Sequence, residues 1–177
     1  MYDDPNGFVA ERLRKRDDLR AMGVDPYPAA AYSPTHTIPD VRRDADVMAD
    51  KAAHVRVAGR IVGRREMGKV VFIDLLDDGA KLQVFLKRSR VSEETWRVLS
   101  LLDLGDFIGV EGKIFYTRMG ELSVRADTLT VLGKASHTIP LPKQQGDRVF
   151  NAVIDKRTLY RHRHVDLICN PSSRDLH

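Results

Sequence analysis

Two outward phenylalanines and a glutamine are the residues best placed to do chemistry on a flat, hydrogen-bonding ligand. Val71, Ile73 and Leu75 alternate through the stretch Lys69 to Leu76, so Phe72 falls on the opposite face. In Lys81 to Lys87, Leu82, Val84 and Leu86 share one face, and Gln83 and Phe85 point the other way. A phenylalanine beside a glutamine on adjacent strands suits the reading of a nucleobase. The ring offers a stacking surface worth about 1–3 kcal/mol per base, and the amide offers both a donor and an acceptor to a base edge. Arg60, Arg64, Arg65, Lys69 and Lys81 place phosphate-binding charge around this surface. The same rings would serve equally to pack beneath an N-terminal helix or a loop, and the pattern leaves both roles open.

Two further residues extend the candidate site. Strict alternation from Ile61 sends Arg65 inward, where an unpaired charge is very costly. Gly63 can host a bulge that re-aims the strand end, so an irregularity is expected there. Glu121 has outward parity beside Ser123 and Arg125. It is either a surface carboxylate paired with a nearby arginine or an acceptor for a base amine. No catalytic constellation stands out: the sequence has neither GxxxxGK(S/T) nor HExxH. His162 and His164 lie two residues apart, on different faces of any helix, which speaks against a shared metal. No metal site is expected.

The elements that must hold these residues are legible in outline. Residues 4–22 read as a helix, with Asp4 as its cap, Pro5 in the first turn and Gly23 past its end. Phe8, Val9, Leu13, Leu19 and Met22 form a loose apolar stripe. Arg12, Lys15 and Arg16 lie off that stripe, either on a solvated surface or against a phosphate backbone. Pro26, Pro28, Pro34 and Pro39 make 24–40 an extended connector, and 41–53 reads as a short polar helix. Strands follow at 55–61, 69–76 and 81–87, the last two joined by the hairpin signal Asp77-Asp78-Gly79. A helix over 92–102, opened by Ser92, precedes strands at 107–117 and 121–132, with a turn at Arg118-Met119-Gly120. Three strands, a helix and two strands is the order of the five-stranded OB-fold β-barrel, although other small barrels compete. Beyond 133 comes a connector containing Pro140-Leu141-Pro142, then a linker helix at roughly 155–169. The expected division is 1–53 for the N-terminal helix and connector, 54–133 for the barrel and 134–177 for the linker.

Bulk composition sets limits on function without choosing one. The 29 Lys and Arg against 25 Asp and Glu leave +4, which permits a nucleic-acid partner without requiring it. A single cysteine, Cys169, excludes an intramolecular disulfide framework and a Cys-rich zinc site. Met1 to Pro5 lacks the basic-then-apolar order of a signal peptide. No apolar run approaches the roughly 20 residues that span a bilayer. The expectation is a cytoplasmic protein with no membrane partner.

Several segments resemble bacterial class II lysyl-tRNA synthetases. Gly23-Val24-Asp25-Pro26-Tyr27-Pro28, Tyr32 and Thr35-His36 resemble the segment leading into their anticodon domain. Val57-Ala58-Gly59-Arg60-Ile61, Arg64 to Lys69 and Phe72 resemble its first two strands. Leu82-Gln83, Leu102 to Asp106, Gly109-Val110 and Gly120 to Val124 continue the likeness, as do Arg161, Arg163 and Val165 to Ile168. The resemblance implies that the barrel binds a tRNA anticodon, that of lysine tRNA, with Phe72 stacked under the central uridine. It implies that Arg65 and Gln83 hydrogen-bond that base and that Glu121 reads a neighbour. Family members continue into a catalytic domain that uses ATP and Mg²⁺ and forms the dimer. Within 177 residues the class II motifs are absent, so this chain is expected to hold no cofactor and not to aminoacylate tRNA alone. A separate catalytic chain, or a second copy, would be the protein partner, and DNA is not an expected ligand. A split synthetase and a general single-strand binder are the alternatives. Aspartyl and asparaginyl enzymes share the barrel, but the Pro-Tyr-Pro and Thr-His segment favours the lysyl member.

Overall fold

The alternating stretches become five strands of a closed barrel in a computed structural model that describes residues 7–137, 143–145, 148–150, 161, 163, 166 and 167. The strands are β1 (His54–Met67), β2 (Val70–Asp77), β3 (Ala80–Lys87), β4 (Phe107–Tyr116) and β5 (Leu122–Gly133). Their order is β1-β2-β3-β5-β4, and β4 returns to pair with β1. The β3–β5 pair is parallel and runs from Gln83 to Phe85; the other four pairs are antiparallel. Three strands, a helix and two strands close as an OB-fold.

Period-two burial explains why these segments are strands. Val55, Val57 and Ile61 of β1, Val71, Ile73 and Leu75 of β2, and Leu82, Val84 and Leu86 of β3 are all buried in one core. Each such side chain contributes about 1.5–3 kcal/mol on leaving water. The β2–β3 hairpin turns through Asp78 and Gly79, both at positive φ, which is the conformation a two-residue turn needs.

The predicted irregularity is present. Ile61 pairs with Leu75 but Gly63 pairs with Asp74, so Val62 is the inserted residue. The insertion flips the parity of the strand that follows. Arg65 then opposes Phe72 and points outward, with its side chain 59% exposed. Arg64 takes the other face, where Nη1 donates to the Leu102 carbonyl at 2.6 Å. β1 therefore runs to Met67 rather than stopping at Ile61, because a bulge interrupts alternation without ending pairing.

A second bulge near Gly112 sets a packing limit. A Cβ at Gly112 would lie on the Arg125 carbonyl, whose carbon is at 2.8 Å. Backbone cannot move aside as a side-chain tip can, so Gly112→Ala is expected to cost about 1–3 kcal/mol. A urea titration checks this, and an unchanged midpoint would contradict the packing.

Helices close the barrel and fasten its N-terminal leader. α1 (Phe8–Ala21) starts with Gly7 as its N-cap; the expected cap Asp4 and Pro5 lie outside the described residues. Its far end is a Schellman turn: Val24 N donates to Leu19 O, Gly23 N donates to Arg20 O, and Gly23 has φ +78°. The connector ends earlier than its prolines suggested. Thr37 caps α2 (Ile38–Arg43) in a reciprocal capping box with Asp40, and Pro39 is tolerated in the first turn. α3 (Ala45–Asp50) follows directly, so the expected helix over 41–53 is two short helices. α4 (Glu93–Ser100) opens on Ser92, whose Oγ accepts from Thr95 N at 3.0 Å, and buries Val98 and Leu99.

α1 is held to the barrel by buried charge. Arg12, only 8% exposed, donates to the carbonyls of Leu104 at 2.8 Å and Ala135 at 3.2 Å. Lys15 donates to Asp103 at 2.6 Å. Lys134, which is buried, donates to Asp103 at 2.6 Å and to Asp106 at 2.8 Å. Arg12 and Lys15, expected either on a solvated surface or against a phosphate backbone, are both engaged in this clamp. α1 buries Leu19 in the core, and these hydrogen bonds and ion pairs supply the rest of its anchorage.

The clamp has a consequence for pH dependence. Burial alone would raise the Asp103 carboxyl. The hydrogen bonds and charges of Lys134 and Lys15 outweigh that and hold its pKa below the usual value. A lowered folded-state pKa stabilises the fold fully above the unfolded value of about 3.9, and the contribution fades as pH falls through the folded value. The intact chain is expected to lose stability on acidification more steeply than Asp103→Asn. Denaturant midpoints at neutral pH and near about pH 3 measure this, and parallel losses would contradict it.

The chain divides into two compact units, 1–137 and 138–177. In the second, β6 (Lys143–Gln145) pairs antiparallel with β7 (Arg148–Phe150). This corrects the reading of a plain connector: Gly146-Asp147 is a two-residue hairpin signal between strands too short to show periodicity. Pro140 to Pro142 lie outside the described residues. Of the expected helix over 155–169, Arg161, Arg163, Asp166 and Leu167 are helical, with Arg163 paired to Asp166, and the rest lies outside the described residues. Among the described residues, no helix is long and apolar enough to cross a membrane.

Candidate nucleic-acid interface

The outer face of the barrel gathers Arg65, Phe72, Gln83 and Glu121 around one open concavity of about 510 Å³. Cross-strand register explains how residues so far apart in sequence meet. Phe72 opposes Arg65 on one side and Phe85 on the other. Gln83 opposes Asp74 on β2 and Ser123 on β5. Phe115 of β4 opposes Ser123 and completes the floor.

The aromatic floor is a chain of edge-to-face contacts. Phe72 and Phe85 have ring centroids 5.5 Å apart, and Phe85 and Phe115 are 5.8 Å apart. All three rings are half-buried. The rings therefore pack against one another while lining the open groove. Sequence reasoning missed Phe115, although the inward parity of Ile108, Val110 and Ile114 already placed it outward. It also missed Met67 and Met119 at the rim, of which Met119 is 94% exposed. Met119 belongs to the β4–β5 turn, and Met67 ends β1 beyond the bulge, so simple alternation from Ile61 describes neither.

Polar groups are fixed around this floor. Gln83 Oε1 accepts from Ser123 Oγ at 3.0 Å, which orients the amide with its NH₂ free to donate. Arg65 reaches Asp74 at 3.1 Å in an exposed pair, so its guanidinium is tethered near Phe72 at little energetic cost. Glu121 lies just before β5, in a turn whose backbone is locked. Its N–H donates to Thr117 Oγ1 at 3.0 Å, and its C=O accepts from Thr117 N at 2.9 Å. Its carboxylate lies 3.6 Å from Arg42 of α2, with both side chains about half exposed. The surface-pair reading of Glu121 thus describes its contact, through an arginine nearly eighty positions away. Arg42 Nε also donates to the Lys81 carbonyl at 2.6 Å, which holds α2 against β3.

Glu121 lines a second concavity, of about 460 Å³, with Tyr116 and the α2–α3 junction. There the Tyr116 hydroxyl donates to Asp46 at 2.7 Å, and that bond raises the phenol's pKa. Arg42→Ala is expected to change stability by less than about 1 kcal/mol, as exposed pairs do. A thermal melt checks this, and a large loss would show that Arg42 is structural rather than an orienter of Glu121.

The expected phosphate path is redrawn by the structure. Arg60 lies over the Phe107 ring at 4.1 Å and donates to Gly105 O at 3.1 Å. Arg64 is committed to Leu102 and Glu66, and Arg16 pairs with Asp17 at 2.9 Å. Lys69, in the β1–β2 turn, and Lys81 remain exposed. Among the described residues, no group of three or more His, Cys, Asp or Glu side chains is arranged to hold a metal ion.

Residues 55–132 match the family described as an OB-fold nucleic acid binding domain. The barrel has the OB-fold. The chain carrying this barrel is similar to lysine–tRNA ligases over part of their length. It is 36% identical over 172 residues to the lysine–tRNA ligase of Porphyromonas gingivalis, a match covering 93% of this chain and 30% of that protein. It is 37% identical over 173 residues to the lysine–tRNA ligase of Anaeromyxobacter sp. strain K, covering 95% of this chain and 32% of that protein. The chain thus spans about a third of the length of these relatives.

Proposed function

We propose that the OB domain binds tRNA by reading its anticodon, and that the tRNA is lysine tRNA. Phe72 stacks beneath the central uridine, Arg65 and Gln83 hydrogen-bond its edge, and Glu121 accepts from a neighbouring base. The observation that carries this reading is the convergence of all four residues on one aromatic-floored groove of the OB domain. Stacking and edge contacts would supply specificity, and phosphate contacts would supply affinity. The likeness to lysine–tRNA ligases supports a role for the domain in delivering tRNA for lysyl-tRNA formation in translation, in the cytoplasm. ATP and Mg²⁺ would be used by a catalytic domain, whether on a longer chain, a second copy or a separate polypeptide.

The test is a fluorescence-anisotropy titration of the whole chain with anticodon stem-loops. A loop with a central uridine is expected to bind more tightly than one with a central cytidine or adenosine. Equal affinities would replace this reading with that of a general single-strand binder.

A further inference from the structure

The aromatic row does not stop at the groove. The register continues it from Phe85 to Arg125 of β5, and from Arg125 to Lys113 of β4. One line of side chains therefore runs across five strands: Arg65, Phe72, Phe85, Arg125 and Lys113. Arg125 and Lys113 are directly opposed on an antiparallel pair, where like charges are destabilising.

Among the described residues, no carboxylate forms an ion pair with either of them. Arg125 Nε is buried and has no hydrogen-bond partner, and the guanidinium lies 5.9 Å from the Phe115 ring centroid. The acids closest to them in sequence, Glu111 and Asp127, face His54 at 3.7 and 4.0 Å. A buried donor without an acceptor and two opposed cations are both relieved by one bound anion.

We propose that Arg125 and Lys113 form a phosphate site at the end of the aromatic row, which holds the phosphodiester of the RNA strand whose base lies on Phe72. The proposal rests on the nucleic-acid reading above and adds the direction of the strand across the sheet. A base on the Phe72–Phe85 floor sends its backbone toward β5 and β4, where the paired cations take a phosphate. These cations contribute affinity without base preference, because a phosphate carries no sequence.

The test is a titration of the intact chain with the stem-loop at several salt concentrations. Removing a phosphate contact is expected to reduce the salt slope by about 1. Lys113→Gln with Arg125→Gln is expected to weaken central-uridine and central-cytidine loops equally and to lower that slope. Phe72→Ala is expected to weaken binding with the slope unchanged. Lys113→Glu guards against misfolding: it creates a cross-strand pair with Arg125, so it is expected to melt higher than wild type while binding RNA less tightly. If Phe72→Ala weakens binding but the cation variants leave affinity and slope untouched, the phosphate site is overturned and the anticodon reading stands. If the wild-type chain binds no loop, both fall. If inorganic phosphate raises the melting temperature of wild type but not of Lys113→Glu, while RNA binding is equal in the two, the site is one for free phosphate and the proposal is overturned.

Discussion

Phe72→Ala is expected to weaken binding of a central-uridine stem-loop by about 1–3 kcal/mol, or roughly five- to 150-fold in affinity. The ring lies centrally in the floor, with Arg65 across one strand pair and Phe85 across the other. Truncation removes the stacking face and leaves Arg65 and Gln83 without a plane against which to align a base. Phe72 also rests on Phe85, so some folding stability is lost with the ring. A variant such as Phe72→Leu, which keeps bulk but has no π-face, separates the two effects. It is expected to melt close to wild type and still bind poorly. Equal affinity of wild type and Phe72→Ala, measured on folded protein, would remove the stacking role.

The largest effect on the fold is expected at Asp106. This carboxylate is fully buried and accepts from Lys134 Nζ at 2.8 Å, Ala135 N at 2.8 Å and Asp103 N at 2.7 Å. Asp106→Ala leaves the Lys134 ammonium, almost wholly buried, with Asp103 as its only remaining carboxylate among the described residues, and it orphans two backbone donors. Breaking a buried pair from one side costs about 3–5 kcal/mol, a large share of the stability of a small domain. Guanidinium unfolding of Asp106→Ala is expected to show a much lower midpoint and earlier release of α1, read by proteolysis after Arg14 or Lys15. A loss under about 1 kcal/mol would mean that water replaces the carboxylate and that the clamp contributes little.

Much of this architecture was legible from period-two patterning. Val71, Ile73, Leu82 and Val84 fixed which way Phe72 and Gln83 face, and the Asp77-Asp78-Gly79 turn fixed the register between them. The bulge was inferable because Arg65 had no tolerable inward position. Other features were not legible, because they depend on partners remote in sequence. Arg12 and Lys15 look like free surface charge until Leu104, Asp103 and Lys134 are brought beneath them. Arg60 and Arg64 look equally available until the chain after α4 supplies the carbonyls of Gly105 and Leu102. Single-sequence charge shows how many cations exist, whereas tertiary contacts decide which remain to meet a ligand. Arg42 escaped notice for the same reason, since its link to Glu121 arises only when α2 docks on β3.

The parallel pairing of β3 with β5 covers only Gln83 to Phe85, so it is the shortest stitch in the ring. Amides along this seam are the ones from which solvent deuterium would first exchange without global unfolding. The groove lies across the end of that seam, with Gln83 and Phe85 on one bank and Phe115 and Glu121 on the other. A bound strand would therefore act as a suture: each opening of the ring would first have to release the ligand. Slowed exchange at β3 and β5 on adding RNA, with little change along the longer β1–β2 seam, would be the mark of a barrel whose ligand closes its weakest join.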